Sequence, residues 1–67
     1  MKNRLEELRT TRGIRQDELA AALSVSRQTI SSLENGRYNP SITLAMKLAR
    51  YFQLTVEDIF IYEEEDI

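Results

Sequence analysis

Apolar residues recur every three or four positions along most of the chain, and the breaks in that rhythm fall on residues that start or stop helices. Leu5 and Leu8 mark one face of a first helix, expected from about Asn3, placed to cap it, to Arg12. Glu6 and Glu7 lie near its positive end, with Arg9 and Arg12 near its negative end, as the helix dipole favours. Gly13 suits a left-handed stop, and Ile14 returns the chain to the core. Leu19, Ala20 and Leu23 give a second buried stripe over about Gln16 to Leu23. Arg15 holds its cap position, where a Ser or Thr would serve better. Ala20 either permits a close helix crossing or simply favours helix. After a tight turn at Ser24-Val25, Ser26 caps a third helix that buries Ile30 and Leu33 and stops at Asn35-Gly36. A polar loop, Arg37-Tyr38-Asn39-Pro40, leads to Ser41, the cap of a fourth helix carrying Leu44, Ala45, Leu48, Ala49 and Phe52. Thr55-Val56-Glu57-Asp58 reads as a capping box that opens a short fifth helix ending near Phe60.

This pattern predicts an all-α chain of five helices, with one short strand candidate at the end. At 67 residues it is one small domain. Such a domain buries only about 60% of the surface its unfolded chain exposes, so association or good packing must support it. The chain has no cysteine and no histidine, which removes disulfides and the usual zinc ligands. No glycine-rich phosphate loop and no converging pair of acids is present, so an enzyme is not expected. Nor is a cofactor, a metal or a small-molecule ligand. No apolar run approaches the ~20 residues of a membrane span, and the first residues lack an apolar signal core. A cytoplasmic protein of a prokaryote or phage is the expectation.

Net charge is −2, which taken whole argues against nucleic acid. The distribution reverses that reading. Residues 1–50 hold all nine Lys and Arg against five acids, a net +4, whereas residues 51–67 hold six acids and no base. Local potential is what steers a phosphate backbone. The acidic end is equally readable as a solvated tail.

The third helix carries the candidate chemistry. Positions 27, 28, 31, 32 and 35 share one face, which holds Arg27, Gln28, Ser31, Ser32 and Asn35, opposite Ile30 and Leu33. A helix fits the major groove of B-DNA, about 12 Å wide, and its N-terminal part makes most base contacts. Arg matches guanine O6 and N7, and Gln matches adenine N6 and N7, each with two hydrogen bonds. Arg27 could equally clamp a phosphate. Thr29 offers a methyl to thymine or a hydroxyl to phosphate, and Ser32 reaches bases only from a deep helix or through water. Gln16, at a helix start, and Arg37, Tyr38 and Asn39, after the third helix, are candidates to grip the backbone. Tyr38 could instead pack on Pro40 or the core.

With these residues in place, the chain resembles the Cro and phage-repressor type of helix-turn-helix domain (the XRE family). The resemblance covers about Leu5 to Phe60. It rests on Gln16-Asp17-Glu18-Leu19-Ala20, Val25-Ser26, Ile30 to Gly36 and Pro40-Ser41. It implies a five-helix fold with helices two and three as the motif, and double-stranded DNA as partner. It implies DNA contacts by Gln16, Arg27, Gln28, Thr29, Ser32, Asn35 and Arg37, beside which Ser26, Tyr38 and Asn39 are further candidates from their own positions, and a structural salt bridge between Arg9 and Glu34. A phosphate contact is the other reading of Arg9. Ser24 stands where the family usually has Gly, so a left-handed backbone there costs on the order of 1 kcal/mol.

Two units are expected, a DNA-binding domain over residues 1–60 and a dimerisation strand with its acidic tail over 59–67. Ile59, Phe60, Ile61 and Tyr62 are too apolar for a free end and rich in β-formers. One reading makes them an isologous homodimer contact, with Phe60 and Tyr62 on one face and Ile59 and Ile61 on the other. The other folds them onto their own core. The functional expectation is a DNA-binding transcriptional regulator, a repressor acting as a homodimer on a near-palindrome. The rival is a protein-interaction module, antitoxin-like or a co-regulator, on the same fold.

Overall fold

The computed structural model describes residues 1–64. Five helices appear: α1 (Leu5–Thr11), α2 (Gln16–Leu23), α3 (Arg27–Glu34), α4 (Ile42–Phe52) and α5 (Val56–Ile59). Two short strands, β1 (Lys2–Asn3) and β2 (Phe60–Ile61), join the two ends of the fold. The chain is therefore mostly helical, with the five helices expected and a small two-stranded sheet that includes the expected C-terminal strand.

The apolar stripes meet in one core. Leu5, Leu19, Ile30, Leu33, Leu48, Phe52 and Ile59 are fully enclosed, each contributing about 1.5–3 kcal/mol by leaving water. Leu23, Leu44, Ala45, Ala20 and Phe60 close its edges. Ala20 is buried on α2, the helix most closely packed against α3, so its small side chain sits in the core and not only on a helix surface.

Capping follows side-chain chemistry. Ser26 Oγ accepts from Thr29 N at 3.1 Å, and Ser41 Oγ accepts from Leu44 N at 3.1 Å. Arg15 offers no acceptor. The start of α2 has only half a box, in which Arg15 N donates to Glu18 Oε1 at 2.9 Å. Thr55 and Asp58 form the full reciprocal box, with bonds of 3.0 and 3.2 Å. Hydrogen bonds from the Thr55 backbone and hydroxyl hold the Asp58 carboxyl below its ordinary value of 3.8. A depressed carboxyl stabilises the fold above its unfolded pKa and loses that contribution as pH falls through the folded value. Unfolding followed across pH should therefore show stability falling below about pH 4, and Asp58→Asn should flatten part of that fall. An identical acid profile in the variant would rule this out.

Four helices end alike. Gly13, Ser24, Gly36 and Gln53 are all left-handed, with φ of 70°, 59°, 72° and 58°. Each is enclosed by a pair of backbone bonds, such as Ile14 N to Arg9 O and Gly13 N to Thr10 O. Glycine adopts this conformation freely, whereas Ser24 and Gln53 carry a Cβ into it. Ser24→Gly should raise stability by about 0.5–1 kcal/mol, the relieved strain exceeding glycine's added unfolded-state entropy. Urea unfolding measures it, and a loss of stability would contradict the argument.

The end segments depart most from expectation. Asn3, predicted to cap α1, lies in β1, and Arg4 takes the cap position without a side-chain bond. Asn3 Oδ1 still accepts from Leu5 N at 3.0 Å. Its Nδ2 donates to Leu33 O at 2.8 Å and Met1 O at 3.1 Å, tying β1 to the end of α3. The Met1 ammonium donates to Gly36 O at 3.0 Å.

β2 pairs antiparallel with β1 of the same chain, Lys2 opposite Ile61 and Asn3 opposite Phe60. Arg4 N extends the ladder to Ile59 O at 2.8 Å. Ile59 and Phe60, expected at a dimer contact, are 0% and 6% exposed in the monomer's own core. The reason is where helix gives way to strand. Ile59 is the last residue of α5, so the alternation of faces begins only at Phe60, and both neighbours point inward. Ile61 and Tyr62 remain exposed, at 36% and 65%.

Candidate nucleic-acid interface

The sharp turn at Ser24-Val25-Ser26 sets α3 across α2. Val25 is half-buried against the core, and Ile30 and Leu33 fix α3 by its inner side. The outer side is therefore determined. Arg27, Gln28 and Asn35 are exposed on it, with Ser31 and Ser32 half-buried at its margins. Among the described residues, the side chains of Arg27, Gln28, Ser32, Asn35, Arg37 and Asn39 have no hydrogen-bond or ion-pair partner. Their donors and acceptors face solvent.

Other expected contact residues are already engaged. The Ser26 and Thr29 hydroxyls bond each other at 2.8 Å, and Thr29 is half-buried. Tyr38 OH donates to Thr29 O at 3.3 Å, which folds the 37–40 loop back on α3. Tyr38 thus uses its hydroxyl proton to brace the helix, while its oxygen can still accept. Gln16 is half-buried at the start of α2, and its Nε2 donates to Glu34 Oε1 at 3.0 Å.

Glu34 is the anchor behind the face. Arg9 Nε donates to Glu34 Oε2 at 2.7 Å, and Arg9 Nη2 donates to Oε1 at 3.2 Å. Arg9 Nη1 donates to Ile14 O at 2.8 Å. The two side chains are 10% and 3% exposed, so the pair joins α1 to α3 away from water. The hydrogen bond to Glu34 raises the Arg9 pKa further above its ordinary range, so this guanidinium stays charged. The other acid near the face is also occupied, because Arg15 grips Asp17 with bonds of 3.1 and 2.6 Å. This pairing holds the Asp17 carboxyl below its ordinary value. The face consequently presents Arg27 with both neighbouring carboxylates already bound by cations.

Shallow clefts run along this side. One of about 340 Å³ is lined by Gln16, Arg27, Gln28 and Ser31, and one of about 300 Å³ by Ser26, Gln28, Thr29, Ser32 and Tyr38. Thr29 and Tyr38 also border a third, of about 310 Å³, with Ser41, Thr43 and Lys47. Thr43 and Lys47 thus extend the polar side onto α4. Sequence reading passed over them, because α4 looks like a core helix and only its packing shows which of its polar residues lie beside α3. Lys47 Nζ donates to Leu23 O at 3.3 Å, which steadies the end of α2. No helix among the described residues is long and apolar enough to cross a membrane, and no cluster of them could hold a metal.

The geometry is that of a helix offered to a groove on a two-helix support, and the comparisons agree. Residues 5–59 match the helix-turn-helix family model. An uncharacterised HTH-type transcriptional regulator of Methanocaldococcus jannaschii is 48% identical over 66 residues, 98% of this chain and 100% of that protein. The uncharacterised HTH-type transcriptional regulator YgzD of Bacillus subtilis is 42% identical over 98% of this chain and 100% of its own length. Among solved structures, the restriction-modification controller protein C.AhdI of Aeromonas hydrophila superimposes with a TM-score of 0.76. It is 33% identical, and the match covers 85% of this chain and 86% of that one. These relatives are regulators of bacteria and archaea, not enzymes. A chain with this motif, this open polar helix and these relatives belongs to the helix-turn-helix family of DNA-binding transcriptional regulators.

Proposed function

We propose that the chain is a sequence-specific repressor that binds a near-palindromic operator as a homodimer in the cytoplasm. The observation that carries the reading is the outer side of α3, where Arg27 and Gln28 stand exposed and unpaired at the helix start. Free, adjacent Arg and Gln side chains suit bidentate contacts to guanine and adenine. Arg37 and Asn39, exposed just beyond α3, suit flanking phosphates, with Gln16, Ser26, Thr29, Ser32, Asn35 and Tyr38 around them. An apolar α3 surface would have suited a protein partner instead.

One domain offers one such helix, so a symmetric pair reads two half-sites about 34 Å apart. With Ile59 and Phe60 committed to the core, the exposed apolar groups of the C-terminal segment that could meet a second copy are, among the described residues, Ile61 and Tyr62. Repression then needs no more than occupancy, because a bound dimer blocks its stretch of duplex. Selection of bound sites from random duplexes should return two inverted half-sites one helical turn apart. A single unrepeated half-site, or no enriched sequence, would overturn the dimer or the specific reading respectively.

A further inference from the structure

Four consecutive acids, Glu63 to Asp66, follow β2, and the fold fixes where that run leaves the domain. β1 lies along the end of α3. Asn3 Nδ2 donates to Leu33 O at 2.8 Å, and two residues earlier the Met1 carbonyl oxygen lies 3.3 Å from where a Cβ on Gly36 would stand. β2 pairs antiparallel with β1, Asn3 opposite Phe60 and Lys2 opposite Ile61. It therefore travels from the level of Leu33 towards that of Gly36. One step further in this register Tyr62 falls opposite Met1, and the acids follow at the Gly36-Arg37 end of α3. Glu63 and Glu64 are exposed there.

Arg37 is the cation at this end of the face. It is exposed, and among the described residues its guanidinium has no partner. The acids beside α3 do not compete for it, because Arg9 holds Glu34 and Arg15 holds Asp17. The run, for its part, has no base of its own, since residues 51–67 contain neither Lys nor Arg. Opposite charges within a Debye length of about 8 Å still attract at physiological salt.

We propose that the acidic run 63–66 is an autoinhibitory segment. In the DNA-free chain its carboxylates occupy Arg37, and a duplex must displace them before its phosphates can take that cation. The run and the phosphates carry the same charge, so they exclude each other from the site. The contact weakens binding to every duplex alike. Unrelated sequence, held by phosphate contacts alone, is the first to be shed. This inference rests on Arg37 being a phosphate grip.

Glu63→Gln, Glu64→Gln, Glu65→Gln and Asp66→Asn, made together, remove the charge and keep the length. At low salt the variant should bind a duplex of unrelated sequence about two- to fivefold more tightly, the size of an exposed ion pair, and the gain should shrink as salt rises. In the Arg37→Ala background the gain should vanish. In the DNA-free chain the side-chain Nε–H resonance of Arg37 should shift when the run is neutralised. An unmoved resonance, or no gain in affinity, overturns the proposal. So does an equal gain in the Arg37→Ala background, which would mean that the run acts through net charge or dimer formation and not on Arg37. A shifted resonance with Arg37→Ala silent in the neutralised chain would instead remove the phosphate grip beneath the proposal.

Discussion

Replacing Arg9 with alanine should cost about 3–5 kcal/mol of folding stability, the loss expected when one partner of a buried ion pair is removed. The carboxylate of Glu34, 3% exposed, would keep only the amide of Gln16 as a donor. Ile14 O would lose its guanidinium partner as well. A domain of 67 residues has about 3–10 kcal/mol in all, so the variant should be largely unfolded at growth temperature. The loss comes from stranding a charge, not from deleting a strong attraction. Arg9→Met combined with Glu34→Leu should therefore recover most of it, since no charge is then left unpaired. Urea unfolding of the unaltered chain and the two variants decides the matter. A loss under about 1 kcal/mol for Arg9→Ala would mean that the pair behaves as a surface bridge.

The same pair shows where sequence reading reaches and where it stops. The helices and most of their ends were legible because each rests on a local rule. Ser26, Ser41 and Thr55 cap through their own hydroxyls, and Gly13 and Gly36 turn left-handed because glycine can. Gln53 takes the same left-handed turn without a local signal, at the point where the chain turns from α4 to pack α5 against it. The sheet was half legible. Apolar β-formers marked β2, but Lys2 and Asn3 have no strand preference and become β1 only because β2 lies beside them. That partner places Ile59 and Phe60 in the monomer's own core, the second of the two readings open to them, while Ile61 and Tyr62 stay exposed. In the interface, the outward residues of α3 followed from helical spacing. The internal bonds of Gln16, Thr29 and Tyr38 did not, because each depends on a neighbour 9 or 18 residues away or on the cap at Ser26.

These internal bonds sharpen what mutation of the exposed face should do. Arg27→Ala and Gln28→Ala should each weaken binding to a selected operator by about 1–3 kcal/mol and relax preference at single base positions. Neither side chain is bonded within the monomer, and alanine favours helix, so folding stability should stay within about 0.5 kcal/mol of the unaltered chain. Thr29→Ala would be ambiguous, because its hydroxyl also meets Ser26 and its loss would disturb the start of α3. Arg37→Ala supplies the contrast. Removing a phosphate grip there should weaken binding to every sequence alike and lower the salt slope by about 0.9. Titration of matched and single-base-altered duplexes at several salt concentrations separates the two behaviours. Unchanged affinity and preference in both the Arg27 and Gln28 variants, with the fold intact, would remove sequence reading from α3. Because the two residues are adjacent, their losses need not add. A coupling between them would show that they share one base step, whereas additivity would assign each its own.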